Sequence, residues 1–281
     1  MIQMQKNMNN TAVKKKKSGK KARARLRRIR RLLLFILAVT GIILFARSSF
    51  FIVDKINISG NQKYASSDIL QHTGLLTGKN VFIMLGEKPK NLFSFRFIDL
   101  ETDIRENMPY IKDISIRPAL PKAINIKVSE RKPYAVLETG GTSLLIDKEG
   151  YALEKADPGK IEGKYFKITG LPVDSYKIGH AVNFKEGGTL SDLIDFNDIL
   201  LENDKNTQLK LYPEITEIDL SEINNIVINF NSRITVNFGD LENADYRINF
   251  VKQLLEKNIP AGQKGMLDFT KSDNPYFVPE S

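Results

Sequence analysis

The first apolar feature of the chain is a run without charges from Leu32 to Ala46, followed after Arg47-Ser48-Ser49 by Phe50-Phe51-Ile52-Val53. At about 1.5 Å per residue the run alone falls short of the ~30 Å hydrocarbon core, whereas extension to Val53 reaches about 33 Å. The pattern predicts one membrane-spanning helix over residues 30–52, with Arg31 and Arg47 snorkelling to the two interfaces. From Val53 to Gly60 apolar and polar residues alternate, a strand running into a turn at Gly60-Asn61. Asp68 to Thr73 reads as a short helix behind Ser66 and Ser67, stopped by Gly74. Phe97, Leu100, Ile104 and Met108 mark one face of a helix that Pro109 ends. Two strands follow, Ile111 to Arg117 and Ala123 to Glu130, with Pro118-Ala119-Leu120-Pro121 between them.

Farther along, Leu144 to Glu154 places Asp147 and Gly150 between two apolar stretches, a hairpin signal. Helical spacing returns at Leu190, Leu193, Ile194, Leu200 and again at Phe250, Val251, Leu254, Leu255. Between these lie Ile215 to Leu220, Ile226 to Phe230 and Ile234 to Phe238, which read as an antiparallel meander. The last strand, Met266 to Lys271, is expected at or near a sheet edge, where unpaired backbone groups invite a partner strand. The fold class is α+β: a membrane helix, a β-α-α-β-β domain, then a mainly antiparallel β domain with flanking helices.

Charge changes the picture at the amino terminus. All 33 acidic residues lie at or beyond Asp54, whereas 14 of the 42 Lys and Arg precede it, so the body is mildly acidic behind a strongly basic tail. Residues 1–29 are expected to be a disordered cytoplasmic tail, because cations crowd them without an apolar stripe. The positive-inside rule then sends the body to the outer side. Ala46-Arg47-Ser48 resembles a signal-cleavage site, but the long basic segment and Phe50 to Val53 directly after it favour an uncleaved anchor. The tail serves as a topology signal and a contact for anionic lipid. Nucleic acid is not expected, since residues 1–31 contain no aromatic side chain.

Candidate chemistry is sparse. The absence of cysteine excludes thiol nucleophiles, disulfides and thiolate-held metals, and the two histidines, His72 and His180, have no ligand spacing. A Ser-x-x-Lys, Ser18 to Lys21, falls in the basic tail. Gly74 to Asn80 lacks the spacing of a phosphate loop, and the Asp147 to Gly150 turn lacks the downstream ligands of a calcium loop. A binding protein without catalytic residues, cofactor or metal is the expectation.

Ser59-Gly60-Asn61, Leu75-x-x-Gly78-x-Asn80-Val81-Phe82, Met108-Pro109-Tyr110-Ile111 and Glu130-Arg131-x-Pro133-x-Ala135 follow one another behind a basic-flanked anchor. This series resembles the FtsQ/DivIB cell-division family. The resemblance implies a POTRA domain over 53–135, a carboxyl-terminal β domain over 136–277 and a tail over 278–281. It implies a non-enzymatic divisome scaffold at the septum, linking small bitopic proteins of the FtsB/DivIC and FtsL kinds to septal peptidoglycan synthases. A POTRA protein of transport or assembly without a division role is the alternative. It implies partner contacts at Phe269, Thr270, Lys271, Tyr276 and Phe277 by the last strand; the charged surface around the paired strands, near Arg117, Pro118, Glu130 and Arg131, is expected to be an exposed polar face used for partner contact.

Overall fold

The computed structural model of the chain describes residues 2–157, 163–185, 190–222 and 225–280, with side chains at Arg23 and from Arg25 onward. Met1 and Ser281, which end the two expected tails, lie outside the described residues, as do the side chains of Lys14 to Lys21, for which lipid contact is expected. Two compact units emerge: Met1–Ser59, Thr73–Leu100 and Ser115–Lys127 form one, and Gly60–His72, Glu101–Ile114 and Val128–Ser281 the other.

In the first unit, helix α1 runs from Ile2 to Ala46. The basic segment expected to be disordered is therefore helical: Lys, Arg, Gln and Ala are strong helix formers, and a helix nucleated in the apolar run propagates into them at little cost. Within α1, Arg25–Ala46 is long and apolar enough to cross a membrane, and none of it is buried. The span thus sits earlier than 30–52. Its end is marked by Asn80, whose side-chain amide donates to the carbonyl of Ala46 (3.0 Å), in the last turn whose carbonyls a helix leaves unpaired, and to that of Ser48 (2.8 Å) just beyond it. Phe51, in a short 3-10 turn over Ser49–Phe51, is 8% exposed and Val53 is fully buried. Of the residues expected to prolong the membrane helix, Phe51 and Val53 are core residues instead, whereas Phe50 is exposed.

The small domain that follows comprises β1 (Lys55–Ser59), α2 (Ser66–Thr73), α3 (Val81–Gly86), α4 (Pro89–Ser94), α5 (Ile98–Asn107), β2 (Ile111–Ala119) and β3 (Ala123–Glu130). The sheet order is β1-β3-β2, with β1 and β3 parallel and Ile56 opposite Ile124, Ile58 opposite Ile126. Four helices stand where periodicity suggests two. α3 and α4 span six residues each, too few to show a 3.6-residue repeat.

The larger sheet is built from β4 (Pro133–Thr139), β5 (Thr142–Asp147), β6 (Ala152–Lys155), β7 (Lys167–Thr169), β10 (Ile215–Asp219), β11 (Ile226–Phe230), β12 (Ile234–Gly239), β13 (Gly265–Asp268) and β14 (Val278–Pro279). A separate two-stranded ribbon joins β8 (Val173–Ser175) to β9 (Asn183–Phe184). The nine strands take the order β14-β13-β12-β11-β10-β7-β4-β5-β6. This sheet begins at Pro133 and includes Pro279, so the second domain outruns the expected limits of 136 and 277 at both ends.

Most neighbours are antiparallel, but β7 is parallel to both β4 and β10, and β12 is parallel to β13. Parallel neighbours need a crossover connection, which α6 (Ser191–Lys205) supplies between β7 and β10 and α7 (Ala244–Lys257) between β12 and β13, while β4 reaches β7 by way of β5 and β6. Their apolar stripes, Leu193, Phe196 and Leu200 on α6 and Ile248 and Val251 on α7, close over Ile168, Ile218, Ile228, Val236 and Leu267 in one fully buried cluster. Each such side chain contributes about 1.5–3 kcal/mol on burial.

Candidate partner-binding surface

The carboxyl-terminal edge is built outward from β12. After β13 the backbone amide of Phe269 still donates to Asn237 O (2.9 Å), so the two-residue alternation continues: Leu267 and Phe269 point inward, Met266 and Thr270 outward. Phe269 is 3% exposed, its ring stacked on Phe238 at 5.9 Å and edge-on to Phe250 at 5.8 Å. It is a core residue and not the partner anchor expected. Thr270 and Lys271 lie in a turn rather than a strand. Thr270 donates to Asp268 Oδ1 through its amide (3.0 Å) and hydroxyl (2.6 Å), and Lys271 Nζ approaches Asp268 Oδ2 at 3.5 Å. The hydroxyl bond first, then the other donors, holds the Asp268 carboxyl below its ordinary range despite partial desolvation.

Tyr276 is 91% exposed, whereas Phe277 is half-buried against the core cluster. Directly after them β14 pairs with β13, Pro279 opposite Gly265 and Val278 opposite Met266. The expected 278–281 tail thus contributes an outer strand, and β13 is not the edge. Gly265 permits this: a Cβ there would lie 2.4 Å from both Phe277 Cζ and Val278 O. Gly265→Ala is therefore expected to push Phe277 and β14 off the sheet, lowering stability by about 1–3 kcal/mol. Limited proteolysis should then remove the chain end faster; equal protection of mutant and parent would contradict the close-approach argument.

Two residues of this edge escape sequence reasoning. Arg247 is 8% exposed, and donates to Phe238 O (2.6 Å), Asp240 O (3.3 Å) and Asp240 Oδ1 (3.3 Å), with Nε and Nη2 both on Asp273 Oδ1 (3.2 and 3.1 Å). This guanidinium ties the segment before β14 to the body of the sheet. A lone Arg at helical spacing from Val251 was the available signal; its partner Asp273 had none.

The polar face expected around β2 and β3 does not exist as a single set of exposed charges. Arg117 is exposed, with Nε on Ser115 Oγ at 3.3 Å, and Pro118 is half-buried. The Glu130 carboxylate instead accepts three backbone amides, Gln62 (2.8 Å), Lys63 (2.6 Å) and Tyr64 (3.2 Å). The Arg131 side chain is only 8% exposed, donates to Asp147 (2.6 Å) and Glu149 (2.9 Å), and lies 3.4 Å from the Tyr151 ring centroid. Both residues are occupied in holding the chain to itself.

A spanning-length helix leading into a three-stranded domain with β1 beside β3, and then into a large mixed sheet, defines a membrane-anchored POTRA protein. The family described as POTRA domain, FtsQ-type, matches residues 51–131. The chain is 27% identical to Cell division protein DivIB of Clostridium botulinum (strain Hall), covering 93% of this chain and 94% of that protein. It is 28% identical to Cell division protein DivIB of Clostridium acetobutylicum, over 81% and 83%. Cell division protein FtsQ of Bartonella bacilliformis matches at 26% over 43% of this chain and 35% of that one. Residues 51–131 thus carry an FtsQ-type POTRA domain, and most of the chain is similar to the DivIB proteins of cell division.

Proposed function

We propose that this protein is a non-enzymatic scaffold of bacterial cell division, anchored by α1 with its basic end in the cytoplasm and its sheet domains outside, at the septum. The observation that carries the reading is the alignment of nearly the whole chain with proteins named for cell division, behind one exposed apolar helix. The cation imbalance across that helix supports the orientation. Small bitopic proteins of the FtsB/DivIC and FtsL kinds are the partners, and through them septal peptidoglycan synthases; the Lys-rich start of α1 contacts anionic lipid.

The partner strand adds beside β14, the outermost strand, where Val278 is 58% exposed, Tyr276 91% and neighbouring Met266 44%. Backbone pairing sets register there and the exposed side chains supply affinity. Replacing Tyr276 by Ala and Val278 by Asp leaves Asp273 and Phe277 in place. The pair is expected to weaken co-purification of the DivIC-like partner by at least about 30-fold, equivalent to ~2 kcal/mol, with an unchanged thermal transition. Undiminished binding rejects this edge as the site. A fluorescently tagged chain that spreads evenly over the envelope instead of gathering at mid-cell rejects the division role itself.

A further inference from the structure

In the first unit, aromatic rings form an unbroken series from the end of α1 into the small domain. Phe45, in the last turn of α1, stacks on Phe50 at 5.8 Å and meets Phe51 edge-on at 5.1 Å. Phe51 meets Phe82 of α3 at 4.9 Å, and Phe82 lies 6.1 Å from Phe95, the residue that ends α4. On the elements that carry this series, apolar side chains are open: Phe50 is 52% exposed, Ile83 47%, Leu92 44% and Phe93 89%. Monomeric soluble proteins seldom leave such surface grouped without a use.

Asn80 fixes where this surface begins. Its Nδ2 closes the carbonyl end of α1, while its Oδ1 accepts the amides of Phe82 (2.9 Å) and Ile83 (3.2 Å) and so caps α3. One buried side chain thus ties the first turn of α3 to the point where the spanning segment ends. Rings and aliphatic side chains placed at that level meet the zone where aromatic residues gather beside lipid headgroups. Arg47, Lys79 and Lys90 are exposed in the same stretch, against the single acid Glu87 between Lys79 and Lys90, a balance suited to lipid phosphates. Phe95 keeps a left-handed backbone, φ 52°, which a bulky side chain adopts only under constraint, and this holds the end of α4 in its course.

We propose that α3 and α4, through Phe50, Ile83, Leu92 and Phe93, rest in the outer headgroup layer of an anionic membrane. The small domain is then a second, interfacial contact beside the spanning helix, and its position is not that of a freely hanging module. This inference rests on α1 being the membrane anchor.

The chain contains no tryptophan, so a single introduced one reports without background. Full-length Phe93→Trp protein, reconstituted in vesicles of phosphatidylglycerol and phosphatidylethanolamine, is compared with Leu37→Trp in the spanning segment and Tyr276→Trp beside the carboxyl-terminal strand. In vesicles whose lipids are brominated near the headgroup, Phe93→Trp is expected to lose about half of its emission and to shift to shorter wavelength, as an interfacial aromatic does. Tyr276→Trp should respond only to aqueous acrylamide. Quenching of Leu37→Trp by lipid brominated deep in its acyl chains, alongside a Phe93→Trp unquenched by headgroup-level bromine, overturns the interfacial contact but leaves the anchor standing. No quenching of Leu37→Trp by lipid brominated deep in its acyl chains, with none of Phe93→Trp by headgroup-level bromine, overturns the anchor and the proposal together. Protection of Phe93→Trp from acrylamide without bromolipid quenching also overturns it, in favour of contact with a second copy.

Discussion

Lys252→Met is expected to lower the stability of the folded chain by about 3 to 5 kcal/mol, the usual consequence of stripping one partner from a buried ion pair. The Lys252 side chain is 5% exposed and that of Asp204 7%, with Nζ 2.6 Å from Oδ1. The ammonium's other two donors reach Asn203 Oδ1 (2.7 Å) and Thr207 Oγ1 (2.6 Å), so all three are used. Asp204 also accepts the amides of Leu211 (3.1 Å) and Tyr212 (2.9 Å), which turns the chain from α6 toward β10. The node joins α6, α7 and that connection. Methionine fills the volume of the Lys stem but leaves a buried carboxylate without its cation. Adding Asp204→Asn removes that charge while keeping an acceptor, so the double mutant should recover part of the loss, and a double-mutant cycle in urea on detergent-solubilised protein would measure the coupling. A change below about 1 kcal/mol for Lys252→Met, the range of surface pairs, would show the node to be dispensable.

Lys252 also illustrates what the sequence conceals. It occupies the α7 position one after Val251, on a face that periodicity marks as boundary rather than core, and nothing local names Asp204, Asn203 or Thr207 as its partners. Where the stabilising pattern is local, the reading succeeds. β11 and β12 alternate Ile226, Ile228, Phe230 and Ile234, Val236, Phe238 toward the core, and the α5 face shows in the burial of Phe97, Ile104 and Met108. Where it depends on distant chain, the reading fails: β14 has two residues, one of them proline, and it is brought to the sheet by Gly265, Phe277 and the Arg247–Asp273 tie. Phe269 is a different miss. Its alternation with Leu267 was visible in the sequence and pointed inward, whereas the partner contact implied for it required an outward placement.

The Glu130-Arg131-x-Pro133-x-Ala135 series was legible as a family mark and misleading as a contact surface. Every member serves the chain's own fold. Glu130 binds the 62–64 backbone, Arg131 binds Asp147, Pro133 opens β4 and Ala135 is fully buried. Those partners lie up to 68 residues away, beyond any local pattern. The site residues that survive as exposed are Arg117, Thr270, Lys271 and Tyr276, which no motif distinguishes from ordinary surface.

Arg131→Ala is accordingly expected to destabilise the second unit by about 3 kcal/mol, toward the lower end for a broken buried pair because Asp147 keeps two backbone donors. Those donors are the amides of Glu149 (2.9 Å) and Tyr151 (2.8 Å), on a carboxylate whose side chain is 6% exposed. The mutant has a pH signature as well. Lys112 first, and Arg131 second, hold the Glu149 carboxyl below its ordinary value. A carboxyl whose folded pKa is depressed stabilises the fold above its unfolded value of about 4.3, and that stabilisation is lost as pH falls through the lower folded value. Without Arg131 the depression shrinks, so the acid-side decline of stability between about pH 5 and pH 3 should be shallower than in the parent. Arg131→Lys should recover part of the stability, since one ammonium cannot reproduce a guanidinium shared between Asp147 and Glu149. Partner binding by Arg131→Ala should fall only as far as the folded fraction falls, while Arg117→Ala, at an exposed position bonded among the described residues to Ser115, leaves the thermal transition in place. If Arg131→Ala keeps the parental unfolding midpoint and pH profile yet loses its partner, Arg131 is a contact residue after all and the internal role assigned to it is wrong.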